Sequence, residues 1–567
     1  MRTVVLVALV AALAALLVPL ALPNRAGITR AVAGSHQPTY PAAPTAASSP
    51  ALAPPPQPAG PAPAVASVTV TRNAYTVPVP GSFFGISTEY WALPLFERNI
   101  PVFERVLAML HEPGDGPLVL RIGGDSADHS FWMPRSRRMP GWAFALTPSF
   151  LARLSALVRR DRVKLIIDLN LVTDNPLTAA EWAHAAETAL PRGSIVGFEI
   201  GNEPDLYSRR YWMAATAKSP FQVSSLPLAL TPSTYVADFR AYAAVLGEGA
   251  PDIPMVGPAV AHSRVSLPYI STLIENQRAE LGSVSGHLYP YSACVHNPRS
   301  PSHPTVERVL SRQATYAFHS DVVGAVAVAH AAGLKFRLTE FNSVTCGGKP
   351  GVSDTFATAL WAPDALFTAM RTGVDGANLH VRANAINAAF TITRGGLVAR
   401  PLLYGLMLFN QTLGPQARLV RLQLSAPRSL NVSAWAVQVR GGILHVLLID
   451  KSNRAVRFDL HLPAGGPASV QRLIAPSPYA RGGVTLDGRH LNYEARWIGA
   501  ARTETISPGL RGGYEVTLAR RSAALIGVRI GPPARGSEHR TVSEHHRRVA
   551  VAQHPVLAVR EHRSRKH

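Results

Sequence analysis

Two glutamates stand where a pair of carboxylates could cleave a glycosidic bond. Glu203 lies in GFEIGNEPDLY and Glu340 in FRLTEFNSVTCGG. One carboxyl group kept protonated donates to the leaving oxygen, while the other attacks the anomeric carbon or activates water. Burial beside a second negative charge raises a carboxyl pKa, which divides the labour between them. A single glutamate of this kind is more often a member of a structural ion pair. Two of them, each closing an apolar run and one inside Asn-Glu-Pro, point to chemistry.

The elements that must hold them are legible as apolar runs. These are Phe83–Thr88, Leu118–Gly124, Lys164–Asn170, Ile195–Asn202, Met255–Val260, Val284–Tyr289, Lys335–Phe341 and Gly376–Val381. Eight buried strands with helical stretches between them predict an α/β fold, a (β/α)8 TIM barrel over 81–395. Several runs end in Glu89, Asp125, Asn170, Glu203, Tyr289, Glu340 or His380. Active sites of such barrels sit at the C-terminal ends of the strands. From 396 to 530, strand-length apolar and alternating segments separated by Gly, Pro, Asn and Asp predict an all-β sandwich. The segment 66–80 reads as a strand that joins this C-terminal β-domain, since a lone strand cannot bury its own face.

The ends have a different texture. Arg2 precedes an apolar run at 3–23, so 1–33 reads as a signal peptide cleaved after Ala31-Val32-Ala33, or as an uncleaved membrane anchor. Either reading puts the body outside the cytoplasm. A Pro/Ala-rich linker occupies 34–65. The tail 531–567 carries eight Lys/Arg, three Glu and six His, and reads as a basic disordered segment able to contact polyanions. The 567-residue chain as a whole has 56 Lys+Arg against 35 Asp+Glu, a net charge of +21, so the body is basic too. An apolar fraction of 47% excludes a wholly disordered chain. Two cysteines exclude a disulfide scaffold. Cys294 and Cys346, in loops after the sixth and seventh strands, are expected to form a disulfide on one face of the barrel. No phosphate-binding or dinucleotide motif is present, and neither a metal site nor a nucleic-acid partner is expected.

The stretches FFGISTEYW (83–91), LVLRIGGDSAD (118–128), GFEIGNEPDLY (197–207) and TEFNSVTCGGKPGVSDTFATALWAPD (339–364) resemble glycoside hydrolase family 79. This is the heparanase and β-glucuronidase family among the clan A retaining glycosidases. The resemblance implies Glu203 as acid/base and Glu340 as nucleophile, with no cofactor and a uronic-acid glycoside as substrate. It also implies that Asn202 bonds the sugar 2-hydroxyl, that Tyr289 donates to Glu340, and that Glu89 and Asp125 hold other hydroxyls. Gly347 and Gly348 would offer backbone N–H groups to the uronate, and Lys349 a charge-assisted contact. Family members have a tyrosine in the stretch matching Asn378-Leu379-His380, where this chain has Leu379; Tyr404 is the substitute considered. Arg121 reads equally as a partner beneath Glu340 and as core support, and Asp168 and Asn170 as structural hydrogen-bonders. The expectation is an exported retaining exo-β-glucuronidase. An endo-acting heparanase-like hydrolase and a non-catalytic acidic-glycan-binding envelope protein are the alternatives.

Overall fold

A computed structural model describes residues 62–531, apart from 112, 113, 115, 136–138, 140–142, 174 and 208–229. The segment 1–33, all but the last residues of the linker, and the tail beyond Gly531 lie outside the described residues.

Eight parallel strands close into a barrel. They are β1 (Phe84–Glu89), β2 (Val119–Gly123), β3 (Lys164–Leu169) and β4 (Ile195–Ile200). The ring continues through β5 (Met255–Val260), β6 (Leu281–Leu288), β7 (Lys335–Phe341) and β8 (Gly376–His380), which pairs with β1. Parallel strands covered on both faces read as continuous apolar runs, which is why the sequence marks them so clearly. The connecting helices carry ordinary start signals. Thr147, Asn175 and Thr231 cap three of them with side-chain oxygens, each followed by proline at the first helical position.

The boundary expected at 396 falls later. The helix Pro401–Thr412 follows β8 and a short hairpin, and packs along the helix Phe356–Thr372 as part of the barrel's outer layer. It is apolar all round and almost wholly buried, so it shows no one-sided period to read. A Cβ at Gly405 would lie 2.3 Å from the carbonyl oxygen of Ala359, so glycine is what permits the two helices to approach so closely.

The β-domain is a sandwich. Its larger sheet is built on β9 (Val432–Val439), β10 (Ile443–Asp450), β12 (Ala468–Ile474) and β14 (Ser522–Arg529). The smaller sheet holds β11 (Val456–His461) and β13 (Tyr514–Leu518). Into it the N-terminal strand Ala64–Thr69 inserts, parallel to β11 and antiparallel to Gln423–Ser425. Val68, Phe458 and Val516 face Ala436, Val446 and Ile526 across the sandwich core. The other face of the larger sheet, with Trp435, Leu447 and Leu525, packs into the barrel's own core. A buried ion pair crosses this junction. Asp364 of the helix Phe356–Thr372 accepts from Lys451 Nζ at 2.6 Å, Trp435 Nε1 at 2.8 Å and Ser433 Oγ at 2.8 Å.

Candidate active site

The organising group of the barrel mouth is Arg121, in the middle of β2 and fully buried. Its five N–H donors all find acceptors. Nε bonds Glu199 Oε2 at 2.7 Å; Nη1 bonds Glu340 Oε2 at 3.0 Å and Ser87 Oγ at 3.4 Å. Nη2 bonds Asp168 Oδ2 and Asn202 Oδ1, both at 2.9 Å. Partner and core support, alternatives in the sequence, are one arrangement in the structure. Burial opposes the guanidinium charge, but Glu199, Asp168 and Glu340 outweigh it and hold Arg121 firmly protonated. Asp168 also accepts from the Gly124 N–H, while Asn170 bonds Ser130 and Thr173; both brace loops rather than face the mouth.

Glu340 projects from the end of β7. Besides Arg121 it accepts a 2.6 Å hydrogen bond from Tyr289 Oη, and His380 Nδ1 lies 3.4 Å from Oε2. Burial alone would raise this carboxyl. His380, His287, Arg121 and the Tyr289 hydroxyl overcome that and hold it at about 2, ionised at any working pH.

Glu203 follows β4 in a left-handed backbone conformation (φ 52°, ψ 51°), unusual for a residue with a side chain. Its N–H bonds the Ala259 carbonyl, and Oε1 lies 3.0 Å from His287 Nδ1. Burial pushes the carboxyl up to about 7 despite the opposing hydrogen bond and charge of His287. The two carboxylates therefore differ in the sense that acid and nucleophile require. One oxygen of each and a ring nitrogen of His287 lie within 4.8 Å of one another.

That trio could also ligate a cation. Its groups are already engaged, however, and the Arg121 guanidinium beside Glu340 opposes a second positive charge.

His287 went unnoticed in the sequence, although it stands two residues before Tyr289. A strand alternates its faces, so the two side chains share one. The pairing of β6 with β7 shifts register between Gly286 and His287, the local irregularity that re-aims side chains near active sites. Ser87 likewise precedes Glu89 by two and lies 3.2 Å from His380 Nδ1.

The structure gathers most of the other expected residues at the mouth. Asn202 is buried, with Nδ2 donating to Asp125 Oδ1 at 3.3 Å. Glu89 accepts from the Ser126 N–H at 2.8 Å; burial and the charge of Asp125 push it to about 8, against the pull of Arg382. Cys294 and Cys346 are joined by a disulfide that ties the loops after β6 and β7.

Three expectations, at Gly348, Lys349 and Tyr404, need correction. The Gly348 N–H donates to the Thr345 carbonyl at 3.2 Å, and the Gly347 carbonyl accepts from Ile386 and Asn387. The pair forms a turn, so Gly348 has no N–H to share with a ligand. Lys349 turns to His303 Nε2 at 2.8 Å and the Pro304 carbonyl at 3.2 Å. Tyr404 sits on the helix Pro401–Thr412, where its hydroxyl accepts from the Leu491 N–H at 2.8 Å and its ring meets Trp497. It belongs to the contact between barrel and β-domain.

No family model matches the chain. A β-glucuronidase of Aspergillus niger is 24% identical over 526 residues, spanning 82% of this chain and 93% of that protein. One from Neurospora crassa is 22% identical over 554 residues, spanning 81% and 96%. Among solved structures, a 4-O-α-L-rhamnosyl-β-D-glucuronidase of Fusarium oxysporum superposes with a TM-score of 0.66 at 18% identity, covering 81% of this chain and 99% of that one. A family 51 arabinofuranosidase of Xanthomonas axonopodis gives 0.61 at 16%, covering 82% and 100%. The chain is a glycoside hydrolase. The hydrolase has the clan A layout, with Asn202-Glu203 closing the fourth strand and Glu340 the seventh.

Proposed function

We propose that this hydrolase is a retaining exo-β-glucuronidase. The observation that carries the mechanism is the close carboxylate pair with opposed pKa values: Glu340 held at about 2 and Glu203 raised to about 7. A retaining pair stands about 5–5.5 Å apart, whereas an inverting pair leaves about 6.5–9.5 Å for a water molecule. Glu340, anchored by Arg121 and Tyr289, attacks the anomeric carbon as Glu203 protonates the leaving oxygen. Glu203 then takes a proton from the water that releases the sugar, and both carboxyls return to their starting states. Asn202, fixed by Arg121 and Asp125, presents its amide beside this pair, where a 2-hydroxyl would lie. The steps need two carboxyls and water, and no cofactor.

Glucuronate as the sugar is supported by the two fungal relatives, each a β-glucuronidase aligned along nearly its whole length. The apolar segment at 3–23 supports an extracytoplasmic location, and the basic tail supports contact with polyanions.

The test is hydrolysis of aryl β-glucuronide, β-galacturonide, β-glucoside, β-xyloside and α-arabinofuranoside, with Glu340→Gln as control. Glucuronide cleavage that disappears in the variant, with β-glucuronate as the first-formed anomer, is the expected result. Inversion at the anomeric carbon, or wild-type turnover by Glu340→Gln, would overturn the mechanism. Activity confined to neutral sugars would overturn the uronate assignment.

A further inference from the structure

A uronate needs a cation or a set of free N–H donors at its carboxylate, and of the groups first expected to supply them Gly348 and Lys349 are otherwise engaged. Gly348 spends its N–H within its own turn, Lys349 is bound to His303 and Pro304, and Arg121 has no donor left. Leu379 cannot serve either. On β8 its neighbours Asn378 and His380 both point into the barrel, and alternation sends Leu379 into the apolar layer outside it.

Among the described residues, one cation at the mouth retains its capacity. Arg382 follows β8 by two residues, on the side of His380, and its side chain is 42% exposed. Its guanidinium lies over the Trp91 ring, 5.5 Å from the centroid. Nε is 4.0 Å from Glu89 Oε1 and Nη1 is 3.8 Å from Asp125 Oδ2. Both separations exceed hydrogen-bonding distance, so the planar fork is oriented by the ring and by two acidic neighbours without being consumed by either. Glu89 in turn sits within 3.7 Å of His380 Nε2, and His380 touches the nucleophile. The free fork is therefore separated from Glu340 by two side chains, Glu89 and His380, at the mouth where the ring substituents of a bound sugar would lie.

We infer that Arg382 is the specificity-determining residue of this site, receiving the carboxylate of the uronic acid in its guanidinium fork while Trp91 holds the fork in place. This rests on the uronate reading proposed above. The interaction is charge-assisted and bidentate, the strongest kind available to a carboxylate ligand. It distinguishes a uronide from the corresponding neutral hexoside, which has a hydroxymethyl group at the same position.

The experiment measures kcat/KM for 4-nitrophenyl β-glucuronide and 4-nitrophenyl β-glucoside with the full chain, Arg382→Gln and Arg382→Lys. The expected result is a fall of about tenfold or more in the glucuronide-to-glucoside ratio for Arg382→Gln. Arg382→Lys, which keeps the charge but loses the fork, should fall between it and the wild type. If the wild type prefers the glucuronide and Arg382→Gln keeps that preference within about twofold, the assignment of Arg382 is overturned and the uronate reading stands. Equal losses on both substrates also overturn it, since they would mark a structural role. A wild type that prefers the glucoside removes the uronate reading itself.

Discussion

If Glu203 is the acid, as proposed above, His287 sets the pH at which it works, and removing His287 should move both limbs of the rate profile upward. The proposed mechanism requires Glu203 protonated and Glu340 ionised, so kcat/KM should fall as pH rises through about 7 and as it falls through about 2. His287 lowers Glu203 by a hydrogen bond at 3.0 Å and by its charge, and lowers Glu340 by its charge alone. A charge-assisted hydrogen bond contributes about 1.5–3 kcal/mol, and one pKa unit corresponds to about 1.4 kcal/mol. The Glu203 side chain is 22% exposed, so water replaces part of the loss. His287→Leu should therefore shift the alkaline midpoint upward by about one unit, with a smaller rise at the acid limb. His287→Gln retains a donor and should shift less. The assay is the pH dependence of kcat/KM on a glycoside with a poor leaving group. An activated aryl glycoside serves as control, because its departure needs no proton and its alkaline limb should flatten. An alkaline midpoint in His287→Leu that stays in place, or moves down, would refute the assigned proton and the role of His287 together.

Other expectations concern the residues that hold the site. Glu203→Ala should lose most turnover on alkyl glycosides and keep far more on activated aryl ones, measured as the ratio of kcat values. Arg121→Leu strands Asp168, Glu199 and Glu340 without their common cation and should cost about 3–5 kcal/mol, seen in denaturant unfolding. Lys451→Met should cost a similar amount by leaving Asp364 buried and unpaired. Lys451 depresses the Asp364 pKa against the effect of burial, so the stabilisation is present above the unfolded carboxylate value and is lost as pH falls through the depressed one. The gap between wild type and Lys451→Met should accordingly be widest near neutrality and close below about pH 4. Cys294→Ser with Cys346→Ser should lower stability by about 2–4 kcal/mol, judged from a loop closed across a separation of 52 residues.

The barrel was legible because its strands are covered on both sides and terminate in polar groups. The carboxylate pair Glu203 and Glu340 was legible for the same reason, since a glutamate closing such a run has few structural duties. What escaped has equally physical causes. The helix Pro401–Thr412 is buried on every side and leaves no period. Gly347 and Gly348 carry the composition of a ligand cradle, but the direction of their N–H groups depends on backbone torsions that residue type does not determine. Arg382 lies in a loop, where no periodicity says which way a side chain points. His287 was accessible through the two-residue spacing to Tyr289, a signal that needs the strand assigned before it can be used.

The strand Ala64–Thr69 has its partners only in Gln423–Ser425 and β11, near the other end of the chain. A ribosome releases this strand long before its neighbours. During that interval the apolar side chains of Ala66 and Val68, buried in the finished sandwich, have nothing to cover them. Chains truncated late in synthesis are left with an open sheet edge and an uncovered apolar face, the features by which aggregation and proteolysis select their targets. Insertion of this strand thus acts as a seal that closes only once Gln423–Ser425 and β11 have been made.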